Sequence, residues 1–92
     1  MTFPLVSICV PTIGRVEYLS AVLQSLREQT YENYEVIVLD NASGPEAQSV
    51  LTEFAANNSN ARILRVNERV PMFANFNRGI RAAVGEYVVF FH

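Results

Sequence analysis

The apolar residues of this chain alternate between two periods, and each period sets one kind of element. Leu5-Val6-Ser7-Ile8-Cys9-Val10 is a nearly continuous apolar run, the pattern of a strand buried on both faces. From Arg15 the spacing becomes helical: Val16, Leu19, Val22, Leu23 and Leu26 share one face, and the pattern fades near Gln29 and Thr30. Residues 34–39 return to a strand rich in β-branched side chains. Ser43-Gly44-Pro45-Glu46 has the spacing of a capping box, with Pro in the first turn. The stripe Ala47, Val50, Leu51, Phe54 and Ala55 carries that helix on to the polar run at residues 57–60. Ala61–Val66 predicts a third strand. Met72, Phe73, Phe76, Ile80, Ala83 and Val84 mark the apolar face of a third helix, stopped by Gly85. Residues 86–91 predict a fourth strand. The order β-α-β-α-β-α-β predicts an α/β fold, a three-layer Rossmann-like parallel sheet with right-handed helical crossovers. At 92 residues this is one domain at most.

In such sheets ligands bind beyond the carboxyl ends of the strands, near a topological switch point. That rule selects residues 11–15, 40–43 and 67–71, and whatever follows His92. Charge narrows the ligand classes. Seven Arg and no Lys face eight Glu and the single Asp40, for a net charge of −2, so there is no polybasic footprint for nucleic acid. One cysteine, Cys9, excludes an internal disulfide or a Cys-rich zinc site. With one histidine, at the last position, a Ser-His-Asp triad or His-rich metal site would hang on a terminal side chain. No apolar run approaches the ~20 residues of a membrane span, and the N-terminus lacks a charged leader region.

Within the selected loops, Pro11-Thr12-Ile13-Gly14-Arg15 leads into the first helix. A helix N-terminus there suits an anion, with Thr12 as a hydrogen-bonding group and Arg15 as a phosphate partner; alternatively Pro and Gly only shape a tight turn. Asp40 directly follows the second strand. It either accepts hydrogen bonds from a base or sugar, with Asn41 beside it as donor and acceptor, or it closes an Asx-turn. Asn75 and Asn77 fall in the third helix, where Asn is a weak helix former, and Asn77 is expected to be partly buried beside Phe73 and Ile80. Arg78 and Arg81 read as solvated charges, whereas Arg69 lies in a loop at the carboxyl edge.

These residues fall into four motifs that resemble the inverting, GT-A type family 2 glycosyltransferases. Residues 5–15 resemble an opening of the form VSIIIPTYNR. Leu26-Arg27-Glu28-Gln29-Thr30-Tyr31 resembles the end of the S-L-x-x-Q-T-Y helix, and VIVLDNAS at 36–43 resembles V-I-V-V-D-[DN]-[GA]-S. Asn77-Arg78-Gly79-Ile80-Arg81-Ala82-Ala83 with Gly85-Glu86-Tyr87 resembles N-x-G-I-x-x-A-x-G-E-Y. The resemblance implies a GT-A N-terminal half with strand order 3-2-1-4 and a nucleotide-sugar donor, commonly a UDP-sugar. By the same resemblance Pro11, Thr12 and Ile13 wall the base and ribose, Asp40 and Asn41 match an acidic pair at the base, and Asn77 matches a helix Asn near the pocket. Glu17 matches an acidic position after the first loop. Arg15 and Arg69 complete the expected binding set.

Three positions depart from the family pattern. Ile13 stands where an aromatic often stacks on the base, Gly14 where Asn is usual, and Phe76 where an Arg is common. The family's D-x-D motif for Mn2+ or Mg2+ is expected just after His92. The chain is therefore expected to be the nucleotide-sugar-binding N-terminal part, residues 1–92, of a glycosyltransferase catalytic domain, truncated before that motif. No catalytic residue and no metal ligand are expected within it, and no transfer by the fragment alone. The full-length enzyme is expected to be a hexosyltransferase-type, cytoplasmic protein, membrane-peripheral at most. The strand at residues 87–91, left as a hydrophobic edge, is expected to pair with a second copy. A non-catalytic α/β nucleotide-binding or assembly module is the alternative.

Overall fold

The structure is a computed structural model and describes residues 3–91, so His92 lies outside the described residues. Seven elements follow in order: β1 (Val6–Thr12), α1 (Val16–Glu28), β2 (Tyr34–Asn41), α2 (Pro45–Asn57), β3 (Ala61–Val66), α3 (Met72–Ala82) and β4 (Tyr87–Phe90). The sheet runs β3-β2-β1-β4, every neighbour parallel. This is the expected α/β fold with strand order 3-2-1-4. β1 and β2 reach further than their apolar runs, because the ladder continues through Pro11↔Leu39 and Thr12↔Asp40. Asp40 thus sits inside β2 rather than after it.

Alternation along the two central strands feeds two cores. Val10, Val36 and Val38 face α1 and α2, where Leu19, Leu23, Leu26, Ala47, Leu51 and Phe54 cover them. Cys9, Ile37 and Leu39 face the other way, against the α3 end of the chain and Phe90. Burial of Cys9 pushes its thiol pKa up, so it acts as a small apolar side chain. At the amino end of the sheet Glu35 accepts hydrogen bonds from Ser7 Oγ and the Val84 N–H and pairs with Arg62. Burial alone would raise its pKa, but these contacts together outweigh it and hold the carboxyl below the usual range.

Two details of the helices differ from expectation. Ser43 and Glu46 form no capping box: Gly44 is the N-cap, and no side chain caps α2. The third helix is rotated about its axis relative to the expected face, with Phe76 and Ala83 of that face still half-buried. Its buried positions are Asn75 and Gly79, while Met72, Phe73, Ile80 and Val84 of the expected apolar face are exposed. Asn77, expected to be partly buried, is exposed as well. The cause is close approach: a Cβ on Gly79 would lie 2.8 Å from Leu39 Cδ1 and 3.0 Å from Cys9 Sγ. Only a glycine lets α3 settle this near the sheet. The helix also ends at Ala82, with Ala83 as its C-cap, before Gly85 is reached.

Gly79→Val is expected to destabilise the fold by about 1–3 kcal/mol through overpacking. Gly44→Ala, where a Cβ meets nothing within 4 Å, is expected to leave the urea midpoint nearly unchanged. Equal midpoint shifts for the two variants would contradict this packing.

Candidate functional site

The carboxyl ends of β1, β2 and β3 open onto a cleft of about 600 Å³. The β1–α1 connection supplies Pro11, Thr12, Ile13 and Arg15, and α1 adds Tyr18. Asn41 closes β2; Arg69 and Val70 come from the β3–α3 connection, and Met72, Asn75 and Phe76 from α3. β4 joins the sheet on the far side of β1 from β2, so the cleft lies where the strand order reverses, as parallel α/β sheets favour.

Local backbone geometry explains the first loop. Thr12 Oγ1 accepts the Gly14 N–H at 3.0 Å, and Gly14 has φ +97°, a region side chains disfavour. A Cβ there would also lie 2.6 Å from Ser43 Cβ. Glycine lets the β1–α1 loop pack on the β2–α2 loop, which accounts for its presence where the family usually has Asn.

The β2 end is a polar scaffold. Asp40 is 1% exposed; Oδ1 accepts the Ser43 N–H at 3.1 Å and Oδ2 pairs with Arg65 Nη1 at 2.8 Å. The first of these bonds is the turn-closing contact that the sequence left as one of two options. Asn41 Nδ2 donates to Val70 O, and Asn41 Oδ1 accepts the Val70 N–H, each at 2.9 Å. Asn75 Nδ2 donates to Leu39 O at 3.3 Å, while its Oδ1 accepts from Arg78 Nε at 3.2 Å and Nη2 at 2.6 Å. Arg78 is therefore half-buried and bonded rather than solvated; burial lowers its pKa, with the Asp40 charge opposing. Phe76 stacks on Phe90 at a centroid distance of 4.7 Å, which ties the cleft wall to β4.

Of the residues singled out in the sequence, Pro11, Thr12, Ile13, Arg15, Asn41 and Arg69 come together at the cleft. Asp40, Glu17 and Asn77 do not line it. Glu17 borders a shallow depression with Gly14 and Glu46. Sequence reasoning missed Tyr18 and Arg65. Tyr18 lies off the Leu19, Leu23 and Leu26 stripe, a signal that it faces elsewhere. Arg65 has no local signal, because only the β2–β3 register places it opposite Asp40.

The cleft walls carry two arginines and no carboxylate, in a chain whose net charge is −2. An anion is favoured there, and the apolar faces of Ile13, Tyr18 and Phe76 suit a planar group. Among the described residues no group of three or more His, Cys, Asp or Glu side chains could hold a metal ion. The cleft lining offers no carboxylate, imidazole or thiol and does not fit a divalent cation. Nor is any described helix long and apolar enough to cross a membrane.

A four-stranded parallel sheet with a cationic cleft at its switch point defines an α/β fold with a site suited to an anionic ligand. The chain belongs to glycosyl transferase family 2, whose family model matches residues 7–92. Among curated relatives, the glycosyltransferase AglE of Haloferax volcanii is 31% identical over 91 residues, 97% of this chain and 30% of AglE. A PGL/p-HBAD biosynthesis glycosyltransferase of Mycobacterium tuberculosis is 29% identical over 90 residues, 98% of this chain and 35% of that protein. Among solved structures, the mannosyltransferase PcManGT from Pyrobaculum calidifontis, in complex with GDP-Man and Mn2+, superposes with a TM-score of 0.83 at 28% identity. That match covers 92% of this chain and 26% of PcManGT. The chain thus spans about a third or less of the proteins it matches.

Arg65→Met is expected to destabilise the protein by about 3 kcal/mol, since it strands the buried Asp40 charge. Adding Asp40→Asn is expected to recover part of that loss in urea denaturation. A neutral effect of Arg65→Met would show that the pair does not hold the turn.

Proposed function

We propose that this chain forms the donor-binding part of an inverting glycosyltransferase that uses a nucleotide-diphospho-sugar. The observation that carries this is the cleft itself: two arginines, no carboxylate, and apolar faces on Ile13, Tyr18 and Phe76. Pro11, Thr12 and Ile13 form the wall for base and ribose, and Arg15 and Arg69 meet the diphosphate. Asp40 serves the site through the turn it braces, and Glu17 and Asn77 keep only the assignment that family resemblance gives them. Family resemblance favours a UDP-sugar as donor, while the GDP-Man in PcManGT makes guanine the competing base.

The whole protein is proposed to transfer a hexosyl unit with inversion, with Mn2+ or Mg2+ held by residues outside those described. The 92-residue chain alone is proposed to carry out no transfer. A cytoplasmic location, membrane-peripheral at most for the whole protein, goes with this function.

Calorimetry with UDP and with GDP tests the donor assignment. Saturable binding is expected, tighter for UDP, and Arg15→Ala with Arg69→Ala is expected to weaken it about tenfold or more, on the scale of ~1.4 kcal/mol per decade. No heat from either nucleotide at millimolar concentration with the whole protein would refute the proposal.

The exposed edge strand supports the proposed self-association. β4 pairs with β1 on one side and presents Tyr87, Val88 and Val89 exposed, an arrangement that invites pairing through the other side. Light scattering of the chain is expected to show a dimer, converted to monomer by Val89→Lys; a monomer throughout at high micromolar concentration would contradict it.

A further inference from the structure

Asn41 lines the cleft but spends its carboxamide on the protein. Its side chain is 4% exposed as a residue, and both of its polar ends are committed to one residue, Val70, at 2.9 Å each. The last backbone pair between β2 and β3 is Asn41↔Val66. Beyond that point the two chains part, and the Asn41 side chain replaces the missing ladder step four residues later. The clamped segment carries Arg69, which is exposed and stands at the cleft.

The chemistry of this clamp is selective. Val70 presents one donor and one acceptor, so its partner must offer one acceptor and one donor at the same spacing. A carboxamide does so; an ionised carboxylate offers only acceptors and would set a negative oxygen against Val70 O. Asparagine, one of the two residues that the family pattern allows at this position, therefore does something that the other, an aspartate, cannot do. It also keeps a negative charge away from Arg69.

We propose that Asn41 is a positioning residue: by clamping both backbone groups of Val70 it fixes Arg69 at the mouth of the cleft for the anionic part of the donor. This rests on the nucleotide-donor function proposed above. Asn41 acts on the ligand through Arg69, its carboxamide being committed to Val70.

A double-mutant cycle read by calorimetry with UDP and GDP tests this. Asn41→Asp is expected to weaken nucleotide binding about tenfold at pH 8, the scale of one charge-assisted contact. In an Arg69→Ala background the same change is expected to cost less than about twofold, because coupled residues are not additive. Lowering the pH toward about 5 is expected to close much of the gap between Asn41→Asp and the wild type measured at the same pH, a comparison that cancels the protonation of the nucleotide's own phosphate. At the lower pH a carboxyl held against a carbonyl and out of water takes up a proton and becomes a donor again. Circular dichroism and urea midpoints at both pH values separate this from loss of fold. If Asn41→Asp does not fold, Asn41→Ala, which only removes the clamp, is put through the same cycle.

Additive losses in the cycle, or wild-type affinity in the Asn41 variant, would overturn the inference while leaving the donor assignment intact. Failure of the wild-type protein to bind either nucleotide would overturn both.

Discussion

Thr12 stands opposite Asp40 where β1 and β2 end together, and the site hangs from that shared register. Because the two strands run parallel, their following loops leave from the same edge and on the same side of the sheet order. Gly14 then packs against Ser43, and the Asp40 carboxylate holds Ser43 and Arg65 in turn. A slip of one residue would exchange the faces of β2. It would put Asp40 on the Cys9 face and turn Asn41, together with Ile37 and Leu39, toward the α1–α2 side, away from the Ser43, Arg65 and Val70 groups that Asp40 and Asn41 now hold.

Much of this was legible in the sequence. The period changes mark the seven elements, and the apolar runs 5–10 and 34–39 mark the two central strands, because burial on both faces leaves no room for polar alternation. The third helix was not legible in the same way. Its most hydrophobic side chains, Met72, Phe73 and Ile80, are exposed, while Asn75 and Gly79 are buried. Hydropathy counts apolar area, but α3 is positioned by contact distance and by one carbonyl to be satisfied. A glycine that admits the sheet and an asparagine that reaches Leu39 O decide its orientation. The same limit explains Asn77 and Asn75: two residues apart on a helix they face different ways, and the apolar pattern pointed to the wrong one.

The site residues divide along a similar line. Those on the β1–α1 loop and Arg69 were found because the topology rule names the loops. Asp40 was found as a unique carboxylate in a telling place, yet its charge is consumed by Arg65, which is 25 residues away in sequence. Pairings across a sheet have no local signature. What results is a cleft whose acids have been turned inward or left on the surface, so that Arg15 and Arg69 set the sign of its field despite an acidic chain. Such a field suits a diphosphate and repels a carboxylate-rich partner.

The central claim is that this cleft, and no other surface of the chain, holds the nucleotide. Amide chemical-shift mapping by nuclear magnetic resonance, with 15N-labelled protein titrated with UDP and then GDP, tests it most directly. Saturable shifts are expected at Thr12, Ile13, Arg15, Arg69 and Val70, with residues 20–28 and 50–57, toward the carboxyl ends of α1 and α2, unmoved. Shifts confined to those helices or to β4, or no saturable shift at the β1–α1 and β3–α3 loops, would contradict it.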